Sequence, residues 1–433
     1  MKNWKILSLV IILFFTTGFA GKAQDAQSIN LETVLELGGA NNLTIQKFQL
    51  ERAAAVADLA KAKEWWLPDL YAGISMHQLW GNAMNGNGAF FTDVNRQSFW
   101  GGVGFDANWN FAEGVYTLKA ERLKAEALQY KNQAEKNQVL LKIISSYYDF
   151  LSAQLYYKTY ENLVSQADTI SQQIAVQVEA GLRYSSELLM IKSNINHLKV
   201  EMLNAKITYN EKSADLIALL NLDPTIELVA TDLYLAPIEL LKSADMATNY
   251  DSVYANRAEL KGMAMELESI NMQKKVTTTG LLIPQLSVGA YSSVFGDVFS
   301  PINPTSEINL ALRWRIPTGR LVYKGELLQY DAHIAIQELE MDQTKATINA
   351  EVLKASQLIK AAKAQMDLAE EGTQFAEEAM QMSINRQNVG TVLPYEILQT
   401  QELYIKSKLD YLEGIARHNK AQYAYYVAVG NDL

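Results

Sequence analysis

The sequence predicts a mixed fold in which short membrane-crossing β-strands continue into long α-helices. Four segments alternate apolar and polar residues with a period of two, a pattern typical of strands that lie between unlike environments. Two long stretches, 112–223 and 318–393, contain no proline and are rich in helix-forming residues. The same order of proline, strand, glycine and helix occurs twice along the 433 residues. Together these observations predict an elongated chain built from two related halves.

The first 23 residues have the features of a secretory signal peptide. Lys2 and Lys5 give a basic start, residues 6–15 form an apolar core, and Gly21 and Ala23 supply small residues before a cut. The apolar run is shorter than the ~20 residues that a membrane-spanning helix needs. We therefore expect cleavage after Ala23, and an uncleaved anchor is the alternative.

The alternating segments are predicted to be strands at 68–80, 98–111, 283–295 and 306–316. Each run is about ten residues long, the length that a tilted strand needs to cross a bilayer with its apolar side chains toward lipid and its polar ones toward a lumen. The alternative is a water-soluble sheet whose apolar face packs inward. The candidates for the lumen are Asp106, Asn108, Arg313 and Arg315.

Four strands cannot close a barrel, and an open sheet edge cannot lie in lipid. Two copies would give about eight strands, whose interior is filled by side chains, whereas three copies give about twelve and leave room for a lumen. The geometry therefore favours a trimer or a larger ring. Residues 81–97 and 296–305 would link the strands outside the cell.

The proline-free stretches are predicted to form long helices of the coiled-coil kind. Their apolar residues recur at three- and four-residue steps. A helix of about 50 residues would be on the order of 75 Å long, which is too long to fold back over one small core. One such apolar series is Leu140, Ile144, Tyr147 and Leu151.

Composition excludes several classes of function. The formal charge is −10, and removal of Lys2, Lys5 and Lys22 makes it −13, which argues against a nucleic-acid-binding surface. Cysteine is absent, so no disulfide, thiolate metal site or cysteine nucleophile exists. The four histidines are scattered, and no phosphate loop, nucleophile elbow or zinc-protease motif occurs. We therefore predict a protein that is not an enzyme and that needs no cofactor or metal.

Landmarks in the first half recur in the second at a nearly constant offset. Pro68 and Pro284 differ by 216 positions, and Gly181 and Gly390 differ by 209. We infer one ancestral unit used twice. The predicted divisions are 24–223 for the first repeat, 224–250 for an inter-repeat connection and 251–433 for the second repeat.

In their order, these landmarks resemble the TolC-like outer-membrane efflux protein family over nearly the whole mature chain. The resemblance implies a mixed transmembrane β-barrel and long α-helical barrel, in which a homotrimer forms a 12-stranded barrel and a periplasmic helical tunnel. Two departures from the family pattern are Asn221, where glycine is usual, and Pro317, where an aspartate-like residue is usual. The matching pieces are the Ala-Asn-Asn-Leu at 40–43, the two proline-led strands, 110–114 with 316–319, Gly181, Gly390, and the closing Val-Gly at 429–430.

The resemblance also implies two kinds of site near the periplasmic tip. Glu187 and Glu396 each follow a hairpin glycine by six residues and correspond to acidic rings at the pore constriction, although a solvated glutamate on a helix face is the simpler interpretation. The glycines themselves could be plain helix-turn residues. The candidates for docking an adaptor are Gly181, Leu182, Val389, Gly390 and Thr391.

The function that the resemblance implies is an outer-membrane exit channel of a tripartite efflux pump or a type I secretion system. Such a channel is a passive duct, and an inner-membrane transporter drives the substrate through it. The implied partners are two further copies of the chain, a periplasmic adaptor protein, the transporter and outer-membrane lipid. The alternative is a soluble periplasmic coiled-coil adaptor or scaffold, which would share the signal peptide and the helices but does not require amphipathic strands.

Overall fold

The computed structural model describes residues 26–240, 249–296, 302–389 and 394–433, so the predicted signal peptide lies outside the described residues. One four-stranded sheet carries two long helical hairpins. The strands are β1 Ala26–Ile29, β2 Asp69–Met84, β3 Phe90–Asn110, β4 Glu227–Ala230, β5 Gln285–Gly296 and β6 Asn303–Arg313. The helices are α1 Leu31–Asn41, α2 Leu43–Ala62, α3 Phe111–Glu179, α4 Ser185–Leu220, α5 Tyr250–Asn256, α6 Ala258–Thr277, α7 Thr318–Tyr323, α8 Gly325–Asn388 and α9 Pro394–Ala428.

The four predicted strands are present, and they form one antiparallel sheet in the order β2, β3, β5, β6. β2 and β3 extend well past their predicted ends, so most of the predicted link at 81–97 is strand. They pair as far as Met84 and Phe90. The turn between them is stabilised by Asn85, whose Oδ1 accepts a hydrogen bond from the Ala89 N–H at 2.9 Å. The link between β5 and β6 lies mostly outside the described residues.

The helices are longer than expected. α3 has 69 residues and α8 has 64, which correspond to about 104 and 96 Å. α3 begins directly at the end of β3, where Asn110 Oδ1 accepts from the Glu113 N–H and Asn110 Nδ2 donates to the Glu113 carboxylate at 2.7 Å. Because this cap joins β3 directly to α3, no loop separates them, and the helix begins at the end of the sheet.

The main core is a band of apolar and aromatic residues where α3, α4 and α9 meet the segment after α4. Tyr147 and Phe150 of α3, Leu220 of α4 and Ile415 of α9 are buried there. Tyr147 donates a hydrogen bond to Asp232 at 2.6 Å. Burial and the Asp232 carboxylate raise the pKa of Tyr147, so the phenol remains protonated and keeps donating.

Part of the predicted inter-repeat connection forms a β-strand. Its strand β4 pairs in parallel with β1 at the start of the described chain. Asn419 of α9 holds the following segment, because its Nδ2 donates to the Ala236 carbonyl at 2.8 Å and its Oδ1 accepts from the Ile238 N–H at 3.0 Å. Residues 241–248 of the predicted 224–250 range lie outside the described residues.

Asn221 explains how the chain departs from the family pattern at the end of α4. Its backbone is left-handed, with φ of 51°, a conformation that asparagine adopts more readily than most residues other than glycine. Gly430 has φ of 92° two residues after Ala428, the last residue of α9. Asparagine therefore performs the helix-ending role that glycine performs in the second half.

Among the residues described, no helix combines the length and the apolar character needed to span a membrane.

Candidate functional site: a two-faced sheet and a hairpin tip

The strand register places most of the apolar residues of all four strands on one face of the sheet. Leu70, Phe105, Ala290 and Ile308 lie in one row across the strands. Leu70 is 82% exposed and Ile308 is 80% exposed, so no described part of the chain covers these two side chains. A water-soluble sheet would bury such side chains against a second layer, whereas a lipid-facing sheet leaves them uncovered in a single chain.

Three of the four lumen candidates lie on the opposite, polar face. Asp106 is opposite Asp69 and Gly289, and Asn108 is opposite Ser287, whose hydroxyl donates to Asn108 Oδ1 at 2.7 Å. Arg313 is opposite Gln285 at the helix end of the sheet.

Arg315 differs from its predicted position. β6 ends at Arg313 rather than at residue 316, so Arg315 lies in the segment between β6 and α7. Pro317, which has no backbone N–H, stands where pairing with β5 has stopped and precedes the first residue of α7. Arg315 lines a cleft with Arg320 and Glu326 below the sheet.

The first hairpin turns at Gly181, which has φ of 72° and is therefore in the left-handed region. The Leu182 N–H donates to the Gln177 carbonyl at 2.9 Å and closes the end of α3. Leu182 and Tyr184 then project from the turn and are 76% and 77% exposed. The sequence prediction of a turn at Gly181 is thus matched by the backbone, and its docking role stays a prediction.

Glu187 is held by an ion pair instead of projecting freely. The Arg183 guanidinium donates to Glu187 Oε2 and to Gln387 Oε1, both at 2.9 Å, and to Gln177 Oε1 at 2.7 Å. Gln387 is only 1% exposed and belongs to α8. Arg183 therefore fastens the first hairpin tip to the second hairpin through a nearly buried polar network.

The second tip contains a similar pair. Glu396 Oε1 accepts from Arg386 at 2.8 Å, and Val389 is 77% exposed at the end of α8. Gly390 and Thr391, the remaining docking candidates, lie outside the described residues. Both predicted acidic sites are thus close to an arginine in the chain, and their proposed role in a pore constriction stays a prediction.

Sequence analysis missed Arg183, Gln177 and Gln387. The four-residue spacing of Arg183 and Glu187 is not a signal for the ion pair, because Arg183 lies in the turn before α4 and the rule for neighbours on a helix face does not cover it. The sequence likewise gives no signal for Gln177. No such signal exists for Gln387, which is 204 positions from Arg183 along the chain.

Replacement of Arg183 with alanine is expected to loosen the tip. The change leaves the side-chain Oε1 of buried Gln387 and the Glu187 carboxylate without this donor. We expect it to lower the free energy of unfolding of the tip by about 1–3 kcal/mol. Hydrogen exchange should become faster at the ends of α3 and α8. Arg122→Ala is the matched control, since Arg122 forms an exposed pair with Glu126 at the same four-residue spacing. Equal exchange in the two variants would contradict the fastening role.

Within the described ranges, no group of three or more histidine, aspartate or glutamate side chains is placed to hold a metal ion.

No protein-family model and no curated protein matches the chain. Its fold does match solved structures. The outer-membrane channel OprN is 14% identical at a TM-score of 0.75, with 93% of this chain and 90% of that chain covered. The Campylobacter jejuni CmeC outer membrane channel is 14% identical at 0.77, with 92% and 85% covered. The outer membrane protein VceC from Vibrio cholerae is 16% identical at 0.73, with 93% and 96% covered. The chain therefore has the fold of the TolC-like outer-membrane channels.

Proposed function

We propose that the protein is a passive exit channel of the outer membrane, with a helical tunnel that extends into the periplasm and serves a tripartite efflux pump or a type I secretion system. The observation that carries the proposal is the two-faced sheet, which has an uncovered apolar face and continues into helices of about 100 Å. Of the three solved structures described above, two are named as outer-membrane channels and one as an outer membrane protein.

The sheet edges support assembly into a closed ring. In the described part of the chain, β2 pairs only with β3 and β6 pairs only with β5, so each outer edge has a row of unpaired backbone groups. These groups would be costly in lipid unless β2 of one copy pairs with β6 of the next. Three copies would then form the twelve-stranded barrel, with Asp106, Asn108 and Arg313 facing its lumen.

The helices also have uncovered apolar faces that suit a second copy. Leu368, Phe375 and Met382 recur every seven residues along α8 and are each more than half exposed. Val200, Leu203 and Ile207 form a similar exposed line on α4. In our proposal α4 of one copy packs against α8 of the next, which closes the helical tunnel.

Chemical cross-linking tests this packing directly, because the natural chain has no cysteine. Leu203 and Leu368 lie at equal distances from the tips, since 203 − 182 and 389 − 368 are both 21 residues. The double variant Leu203→Cys with Leu368→Cys is expected to give covalent trimers with a short bismaleimide. Each single variant serves as the control and should remain monomeric on a denaturing gel. A double variant that also stays monomeric would contradict the proposed packing.

The exposed residues of the hairpin tips suggest where the other proposed partners would bind. We propose that a periplasmic adaptor contacts the exposed residues Leu182 and Val389, with Gly181, Gly390 and Thr391, and that an inner-membrane transporter supplies the energy. Glu187 and Glu396 would bias the tip toward cations, to an extent limited by Arg183 and Arg386.

We also propose that the halves derive from one duplicated unit, an idea supported by helices of 36 and 35 residues in α4 and α9.

Cell fractionation followed by the mass of the detergent-solubilised particle tests the function as a whole. A trimer extracted from the outer membrane would agree with the channel. A soluble periplasmic monomer would overturn it and favour the adaptor or scaffold, in which case another protein must cover the apolar face of the sheet.

A further inference from the structure

Several aromatic residues lie on the polar face of the sheet, and one of them, Phe295, is directly opposite Trp100. Tyr71, Trp100 and Tyr291 belong to β2, β3 and β5, and Glu307 of β6 lies beside them. We call these four residues the aromatic-acidic patch.

One row across the strands contains three members of the patch. Tyr71 is opposite Gly104, Gly104 is opposite Tyr291, and Tyr291 is opposite Glu307. A Cβ atom at Gly104 would lie 2.6 Å from the Tyr71 hydroxyl oxygen and 2.7 Å from its Cζ, so the Tyr71 ring lies over the glycine. Glycine at 104 thus makes room for a ring that lies along the sheet and presents its surface.

Trp100 extends the aromatic surface toward the far end of the sheet. Its ring centroid is 6.3 Å from that of Tyr291, with an angle of 72° between the planes. This edge-to-face contact fixes the two rings relative to each other. The row between them contains Gly73 and Gly102, so no bulky side chain of those two strands covers the rings.

The charge around the patch has one sign. Tyr291 donates a hydrogen bond to the Glu307 carboxylate, which fixes its position. The next row toward the helices contains Asp69 and Asp106 directly opposite each other. The four rows from Asp69 to Trp100 contain no lysine and no arginine. Aromatic faces and carboxylates both attract cations, and neither has a cationic partner in these rows.

We propose that the aromatic-acidic patch binds organic cations that combine an ammonium group with an apolar body. The ammonium group would lie between Glu307 and the face of Tyr71 or Trp100, and the apolar body would stack on the remaining ring. The proposal rests on the proposed function, in which the polar face lines the lumen and a trimer has three such patches. The patch would give the barrel wall a preference of its own among the substrates that pass through it.

Calorimetric titration of the full-length protein in detergent with phenyltrimethylammonium tests the proposal. The uncharged analogue N,N-dimethylaniline at neutral pH reports the part of binding that needs no charge. Glu307→Gln removes the charge and keeps the shape, and Trp100→Leu removes one ring. Trp100→Leu is expected to weaken phenyltrimethylammonium binding by roughly two- to thirtyfold, the range of a cation–π contact from exposed to desolvated sites. Glu307→Gln is expected to weaken it by up to about fivefold, the effect of an exposed ion pair. Glu307→Gln should leave N,N-dimethylaniline binding unchanged.

Matched controls are Asp93→Asn and Trp80→Leu, which make the same chemical changes in β3 and β2 away from the patch. Both are expected to bind like the natural protein. Failure of the natural protein to bind the cation, or equal loss in patch and control variants, would overturn the proposal.

Ion current through the natural protein in a planar bilayer is recorded in parallel. Current without cation binding would reject the patch alone, whereas cation binding without current would reject the channel and retain the patch.

Discussion

Arginine in place of Ile74 is expected to prevent accumulation of the protein in the outer membrane. Ile74 is 77% exposed on the apolar face and lies within β2. An arginine that faces lipid near the middle of the bilayer costs about 2–4 kcal/mol in each copy, and a trimer would contain it three times. The measurement is the fraction of the protein recovered in the outer-membrane pellet as a detergent-stable trimer.

The control for this experiment is Ser75→Arg at the next position of the same strand. Side chains alternate between the two faces, so this arginine would project into the lumen and remain hydrated. We expect normal membrane accumulation of Ser75→Arg. If both variants were lost from the membrane, or if both accumulated, the assignment of the two faces would be wrong.

Replacement of Arg257 with alanine is expected to have the largest effect on the stability of the helical part. Arg257 is 4% exposed and precedes α6. Its guanidinium donates to Glu259 at 2.9 Å, to Glu351 of α8 at 2.8 Å and to the Ala428 carbonyl at the end of α9 at 3.2 Å. Loss of these donors leaves the buried Ala428 carbonyl unsatisfied and removes the cationic partner of Glu259 and Glu351, whose side chains are 29% and 41% exposed. We therefore expect a loss of about 2 kcal/mol in the free energy of unfolding.

Guanidinium titration in detergent, followed by far-ultraviolet circular dichroism, measures this loss. Arg257→Lys should recover only part of it, because an ammonium group cannot reproduce the planar fork of donors. Arg122→Ala again provides an exposed control, with an expected change below about 0.5 kcal/mol. An Arg257→Ala protein as stable as this control would show that the three elements are held together by other contacts.

The sheet could be predicted because the polarity of each side chain follows the environment that its face of the sheet contacts. Alternation along β3 separates Val103 and Phe105 from Gly104 and Asp106, and the register confirms that division. The ends of the strands could not be predicted in the same way. Near Met84 and Phe90 both faces are exposed, so the pattern weakens while backbone pairing continues.

The candidate tip could be predicted only in part. Gly181 is visible in the sequence because a left-handed turn between two long helices favours glycine. The contact of Arg183 with Gln387 depends on how two hairpins from distant parts of the chain pack, and local sequence contains no record of it. The same limit applies to Arg257, which looks like a surface residue in the sequence but contacts the interior of α8 and the end of α9.

The two hairpins are attached to the sheet in different ways, and this gives them different mechanical properties. β3 passes into α3 at Asn110 with no intervening loop. A sideways force on the first hairpin is therefore transmitted to the strand along a continuous helix. The second hairpin is connected to β6 by residues 314–317, the short helix α7 and Lys324, whose φ is 51°. A joint of that kind absorbs rotation at a few backbone bonds. We therefore expect the second hairpin to be more flexible relative to the sheet than the first. A force applied at the tip would change the backbone between β6 and α8 and leave β3 undistorted.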